Sequence, residues 1–167
     1  MIQAYRNINP TIAPDAFVAD NAVVIGDVHI GSESNIWFGC VIRGDVHYIR
    51  IGDRTSIQDG TVIHVTRVTG PTHIGSGVTV GHSALLHACT LEDYCFVGMR
   101  ATVMDGAVVE TGAWVAAGAL VPPRKRIPRG QIWAGTPARY LRDLTPEEAA
   151  YIEVSSRNYV ELGREYR

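Results

Sequence analysis

Apolar side chains recur every sixth residue along almost the whole chain. The register runs through Ile12, Val18, Val24, Ile30, Ile36 and Ile42, resumes at Ile51, Ile57 and Ile63, and again at Ile74, Val80 and Leu86. It then continues unbroken from Leu91 through Val97, Val103, Val109, Val115, Val121 and Ile127 to Trp133. Neither a helical period nor strand alternation accounts for a strict repeat of six. A short fixed period predicts a solenoid of strands, in which each repeat buries its apolar residue only against its neighbours. Small residues stand four places after many of these positions, among them Ala22, Cys40, Thr61, Ala84, Cys95, Ala101 and Ala119. Glycine often follows the apolar residue directly, as at Gly31, Gly52, Gly75, Gly81 and Gly98, where a corner needs a backbone without a Cβ.

This pattern resembles the hexapeptide-repeat family, and the resemblance implies an all-β solenoid, a left-handed parallel β-helix with three six-residue faces per coil. The hand comes from the resemblance alone, since parallel crossovers in general favour the right hand. Twenty hexads at three per coil make nearly seven coils, a prism on the order of 30 Å long. The repeat ends near Ala134–Arg139, so residues 1–140 are expected to form the β-helix, with Met1–Asn9 as lead-in strand or cap. Residues 141–167 are expected to form a C-terminal helix packed along it. There Thr145 as N-cap, Pro146 at the first helical position and Glu148 three past the cap make a capping box. The helix should run to about Leu162, stopped by Gly163, with Ala149, Ile152, Ser156, Tyr159 and Val160 facing the prism.

Composition narrows the function classes. With 167 residues, 19% of them charged, and a net charge of -2, the chain has no basic footprint for nucleic acid. It also has no run of about 18 apolar residues to span a membrane, and its first residues lack a signal-peptide core. Cys40, Cys89 and Cys95 have no metal-type spacing and read as reduced packing residues, which suits a cytoplasmic protein.

The coil arithmetic places the histidines. Residues three hexads apart stack on one face, so Arg43, His64 and His87 should form one ladder on successive coils. His82 should stack over Asp59, with Gln58 beside it at the same corner. His64 and His87 can converge on one ion, whereas His82 lies on a different face. A neighbouring prism in a homotrimer would present its own His82 to that pair, making cyclic assembly part of the site. His29, His47 and His73 read as ordinary surface or satisfied residues.

Ile42-Arg-Gly-Asp45, Ser56-Ile-Gln-Asp-Gly60, His64, Gly81-His82 and His87, followed by Ala134-Gly-Thr-Pro-Ala-Arg139 and the terminal helix, resemble the gamma-class carbonic anhydrases over nearly the whole chain. The resemblance implies three metal ligands at a trimer interface, His64, His82 and His87. It implies zinc as the metal, with iron(II) or cobalt(II) as alternatives. The reaction implied is hydration of CO2 to bicarbonate through a metal-bound hydroxide. It further implies that Gln58 hydrogen-bonds the metal-bound solvent, that Arg43 and Asp59 shape the site by ion pairing across the interface with Asp45 in the same network, and that Tyr159 is a site residue.

The sequence also departs from the family's founding enzyme. Val46 stands where that enzyme has Glu, and the segment Val65–His73 carries no carboxylate where the founding enzyme has an acidic, proton-shuttling loop. Two other functions therefore stay open at this stage: a hexapeptide acyltransferase using one interfacial histidine as general base, and a non-catalytic metal-binding or assembly protein.

Overall fold

A computed structural model of the protein describes residues 1–68 and 70–167. Each hexad contributes a short strand, and the chain winds these into a parallel β-solenoid of about seven coils. Register residues stack in three ladders. One passes from Val24 to Ile42, Ile63, Leu86, Val103 and Val121. A second passes from Val18 to Ile36, Ile57, Val80, Val97, Val115 and Trp133. The third passes from Ile12 to Ile30, Ile51, Ile74, Leu91, Val109 and Ile127. All of these side chains are buried except Ile12, Val18 and Trp133, which are partly buried at the outer coils. Every coil thus removes three aliphatic side chains from water at about 1.5 to 3 kcal/mol each.

The residues flanking each buried position point outward, so the three faces differ in what they offer. Phe17, Asn35, Ser56, Thr79, Phe96 and Trp114 form the outer surface of one face, and the C-terminal helix Pro146–Glu165 lies across it. Ser155 and Thr79 share a hydrogen bond of 3.0 Å, and the Ser156 hydroxyl donates to the Arg54 carbonyl at 2.8 Å. A second face presents His29, Arg50, His73, Thr90, Val108 and Arg126 and is mostly polar. On the third, Val41, Val62 and Leu85 stand in one outward row beside Arg43, His64 and His87, and both Val62 and Leu85 are exposed.

The helix begins as the sequence predicts. Glu148 N–H donates to Thr145 Oγ1 at 3.2 Å and Thr145 N–H to Glu148 Oε2 at 3.0 Å. Its far end differs: the helix continues through Gly163 to Glu165. Gly163 is there for close approach rather than termination, because a Cβ on it would meet the Cβ atoms of Asn35 and Phe17 at 3.3 and 3.6 Å. The buried stripe is Ile152, Ser155, Ser156, Val160 and Gly163. Ala149 lies toward the prism, lining a cleft with Thr111, Gly112 and Gly130, but is exposed rather than packed because that cleft is open to solvent. No helix among the described residues is long and apolar enough to cross a membrane.

Candidate metal centre

The three departures from the six-residue period all fall at one corner of the prism. Nine residues separate Ile42 from Ile51, eleven separate Ile63 from Ile74, and five separate Leu86 from Leu91. Each irregularity begins just beyond Arg43, His64 or His87; His64 and His87 end their strands there, whereas Arg43 is the third residue of the long strand Val41–Ile51. Regular pairing holds His64 opposite His87 on consecutive coils.

The two imidazoles are oriented from outside. His64 Nε2–H donates to Asp45 Oδ1 at 2.9 Å, and His87 Nδ1–H donates to Asp105 Oδ1 at 2.7 Å. Those bonds fix the tautomers, leaving His64 Nδ1 and His87 Nε2 as lone pairs that face each other at 3.3 Å. Two lone pairs so placed repel unless a shared proton or a metal cation lies between them. Two nitrogens, each about 2.0 to 2.1 Å from a tetrahedral zinc ion, are themselves about 3.3 Å apart. The pair fits two positions of such an ion, with a carboxylate behind each ring as is usual for metal-bound histidine.

Asp45 also forms an ion pair with Arg43. Burial alone would raise the Asp45 pKa, but hydrogen bonds from His64 and Arg43 outweigh it and hold the carboxyl below its usual range. Asp105 behaves alike: burial opposes, while the Thr66 hydroxyl and His87 outweigh it. Both therefore stay ionised and able to accept from the rings at neutral pH.

His82 stands apart, on the corner that precedes strand Leu85–His87. Its Nδ1 lies 2.9 Å from Asp59 Oδ2, one coil below, which leaves Nε2 free. Gln58, His82 and Tyr159 line one cleft of about 480 Å3 between helix and prism, whose walls include Phe96, Trp114 and Tyr151. Gln58 is buried, 5% exposed. Tyr159 packs edge-on against Trp37 at 5.8 Å, and burial, then the Asp59 charge, raises its hydroxyl pKa. One chain therefore holds two clusters: His64, His87, Arg43 and Asp45 in one, and His82, Asp59, Gln58 and Tyr159 in the other. Among the described residues, no group of three or more His, Cys, Asp or Glu comes together in a single chain to hold a metal.

Residues 9–44 match the family model for bacterial transferase hexapeptide (six repeats). The chain is 54% identical over 161 residues to gamma carbonic anhydrase 2, mitochondrial, of Arabidopsis thaliana, covering 93% of this chain and 58% of that protein. It is 42% identical over 167 residues to a carbonic anhydrase of Geobacillus kaustophilus, covering 100% of this chain and 91% of that one. The chain belongs to the gamma carbonic anhydrase family. As a family member it spans little more than half the length of the plant relatives, 58%. The crystal structure of a hexapeptide transferase family protein from Anaplasma phagocytophilum has a TM-score of 0.97 to this gamma carbonic anhydrase fold at 47% identity, covering 100% of this chain and 98% of that one.

Two residues beside the facing histidines are not among those found by sequence reading, Asp105 and Thr66. The Thr66 hydroxyl donates to Asp105 Oδ2 at 2.6 Å. A signal was available: Asp105 is one coil beyond His87 and one residue further along, as the bond from Gly106 N–H to the Ala88 carbonyl records at 2.7 Å. Thr66 belongs to the short Val65–His73 segment, of which Thr69 lies outside the described residues. The Thr72 hydroxyl of the same segment donates to the His64 carbonyl at 2.7 Å. The three cysteines are free and buried, and burial raises their pKa values, to about 11 for Cys40 and about 12 for Cys89. Burial and a raised pKa suit packing rather than thiolate chemistry. His47 and His73 flank Tyr48, with ring centroids 4.7 and 5.3 Å away, away from the facing pair.

Proposed function

We propose that this chain is a gamma-class carbonic anhydrase that hydrates CO2 to bicarbonate at a metal shared between the subunits of a homotrimer. The observation that carries the reading is the 3.3 Å convergence of His64 Nδ1 and His87 Nε2, each ring held from behind by a carboxylate. The third ligand is His82 of a neighbouring chain, whose free Nε2 is turned outward by Asp59. Val62 and Leu85 support the trimer, because the histidine-bearing face is the apolar one that the helix leaves uncovered. Assembly unites the two clusters and removes this patch from water.

Zinc is the proposed ion, with iron(II) or cobalt(II) able to occupy the same nitrogen set; when bound it lowers the pKa of water to about 7 and so supplies hydroxide at neutral pH. The protein's part is arrangement. Asp45 and Asp59 hold the His64 and His82 rings with their metal-facing nitrogens unprotonated. Gln58, which lines the cleft with His82, offers its amide to orient attacking solvent or product. The Arg43 and Asp45 pair fixes charge at the edge of the site. Tyr159 and the aromatic wall beside it keep that side apolar, as an uncharged substrate requires. With Val46 and the carboxylate-free Val65–His73 segment nearby, proton export is left to His73, His47 or buffer.

Stopped-flow CO2 hydration on protein loaded separately with zinc and with iron(II), with His87→Ala as control, tests the reading. Metal-dependent hydration lost in the variant supports it; a loaded metal with no hydration removes it. The Anaplasma relative is titled a hexapeptide transferase family protein, and for acyl transfer a single histidine such as His82 would serve as base. Saturable coenzyme A binding without metal would favour that second reading.

A further inference from the structure

We propose that Asp105, braced by Thr66, is the positioning residue that sets His87 for metal capture, so that the short segment after His64 tunes metal affinity. This rests on the metal site proposed above. Asp105 engages both carboxylate oxygens in different directions: Oδ1 accepts from His87 Nδ1–H at 2.7 Å and Oδ2 from the Thr66 hydroxyl at 2.6 Å. The brace therefore spans three coils, from the one that carries His64, through that of His87, to the next. Both ends are fixed by backbone bonds, from Thr66 N–H to the Gly70 carbonyl at 2.9 Å and from Arg124 N–H to the Asp105 carbonyl at 2.9 Å.

The physical reason lies in the freedom of an imidazole. Its second side-chain torsion has broad, roughly two-fold wells, so an unbraced His87 can turn and can protonate either nitrogen. The bond to Asp105 selects the rotamer and tautomer that aim the Nε2 lone pair at His64. Thr66 in turn keeps the carboxylate from rotating away. Asp105 has little else to do for the fold, since its side chain is 41% exposed and lies outside the buried ladders. Removing such a partner from a metal-bound histidine typically costs about 10- to 100-fold in affinity.

Zinc affinity of the assembled protein, measured by competition with a chromogenic chelator, tests this together with the melting temperature of the metal-free protein. Asp105→Ala is expected to weaken zinc about 10- to 100-fold with little change in metal-free melting. Asp105→Asn, which keeps an acceptor for His87, is expected to recover most of that loss. Thr66→Val should give a smaller loss and change the visible absorption of the cobalt(II)-loaded protein. Wild-type affinity in both Asp105→Ala and Thr66→Val overturns the inference, as does equal weakening in Asp105→Asn and Asp105→Ala. Should Asp105→Ala not assemble, Thr66→Val decides alone: wild-type zinc affinity and an unchanged cobalt spectrum overturn the proposal. Failure of the metal-site reading looks different, because zinc binding by the wild type would then be absent or indifferent to His87→Ala.

Discussion

Gly44 stands directly on Gly26 of the preceding coil, so closely that a Cβ on Gly44 would lie 2.6 Å from the Asp27 carbonyl oxygen. That spacing ties stability to chemistry, because Gly44 separates Arg43 from Asp45. Gly44→Ala should force the two coils apart, at a cost of about 1 to 3 kcal/mol, and draw Asp45 off His64. Denaturant unfolding and zinc titration of the same variant should both show losses. A variant with wild-type values in both would mean that the corner yields freely.

Ile63 and Leu86 face the core while His64 and His87 face out, so the rings contribute to the site and not to the packing. His64→Ala and His87→Ala should each abolish zinc binding and leave metal-free melting within a few degrees of the wild type. Elemental analysis after gel filtration measures the first and circular dichroism the second. Full zinc occupancy in either variant would place the centre elsewhere.

Leu85, 39% exposed beside Val62, lies on the face assigned to the trimer. A charge there should be costly only in the assembly, so Leu85→Glu should yield folded monomers by sedimentation velocity. Those monomers should lack tight zinc, because a lone chain brings only two of the three ligands to one site. A Leu85→Glu trimer with normal zinc would count against a shared site.

Acid should loosen the helix start in a defined window. Hydrogen bonds from Arg142, and then from Thr145 N–H, hold Glu148 at about 2, below its ordinary 4.5. A depressed carboxylate stabilises the fold above its unfolded value and loses that contribution as pH falls through the folded one. The difference in melting temperature between the wild type and Glu148→Gln should therefore be constant above about pH 5 and shrink from pH 4.5 toward 2. A gap that stays constant across that interval would show that the capping box carries no charge-dependent stability.

The ladders were legible because a period of six leaves each apolar residue one place to go, and the structure stacks Ile42 on Val24 and Leu86 on Ile63 as counted. The facing of His64 and His87 followed from the same count. The count also puts Asp105 one coil on and one residue past His87, but not the diagonal reach of its side chain, and it could not carry Thr66, which reaches Asp105 from an eleven-residue interval that has no register. Gly163 misled for a different reason: glycine after a helical pattern usually marks a stop, and only the nearness of Asn35 and Phe17 reveals its packing role. The clustering of all three frame breaks at the histidine corner is likewise a property of the wound chain.

The last strand, Arg139–Asp143, turns back and pairs antiparallel with Gln131–Ala134. It is exposed along its length and carries Arg139, Arg142 and Asp143. A parallel solenoid is open at its ends, and an uncovered final coil would offer hydrogen bonds to the first coil of another molecule. Reversing the chain direction there, with charges on the rim, makes that face of the final coil a poor template for end-to-end growth. On that face the repeat therefore ends in a reversed, charged strand instead of an open parallel edge.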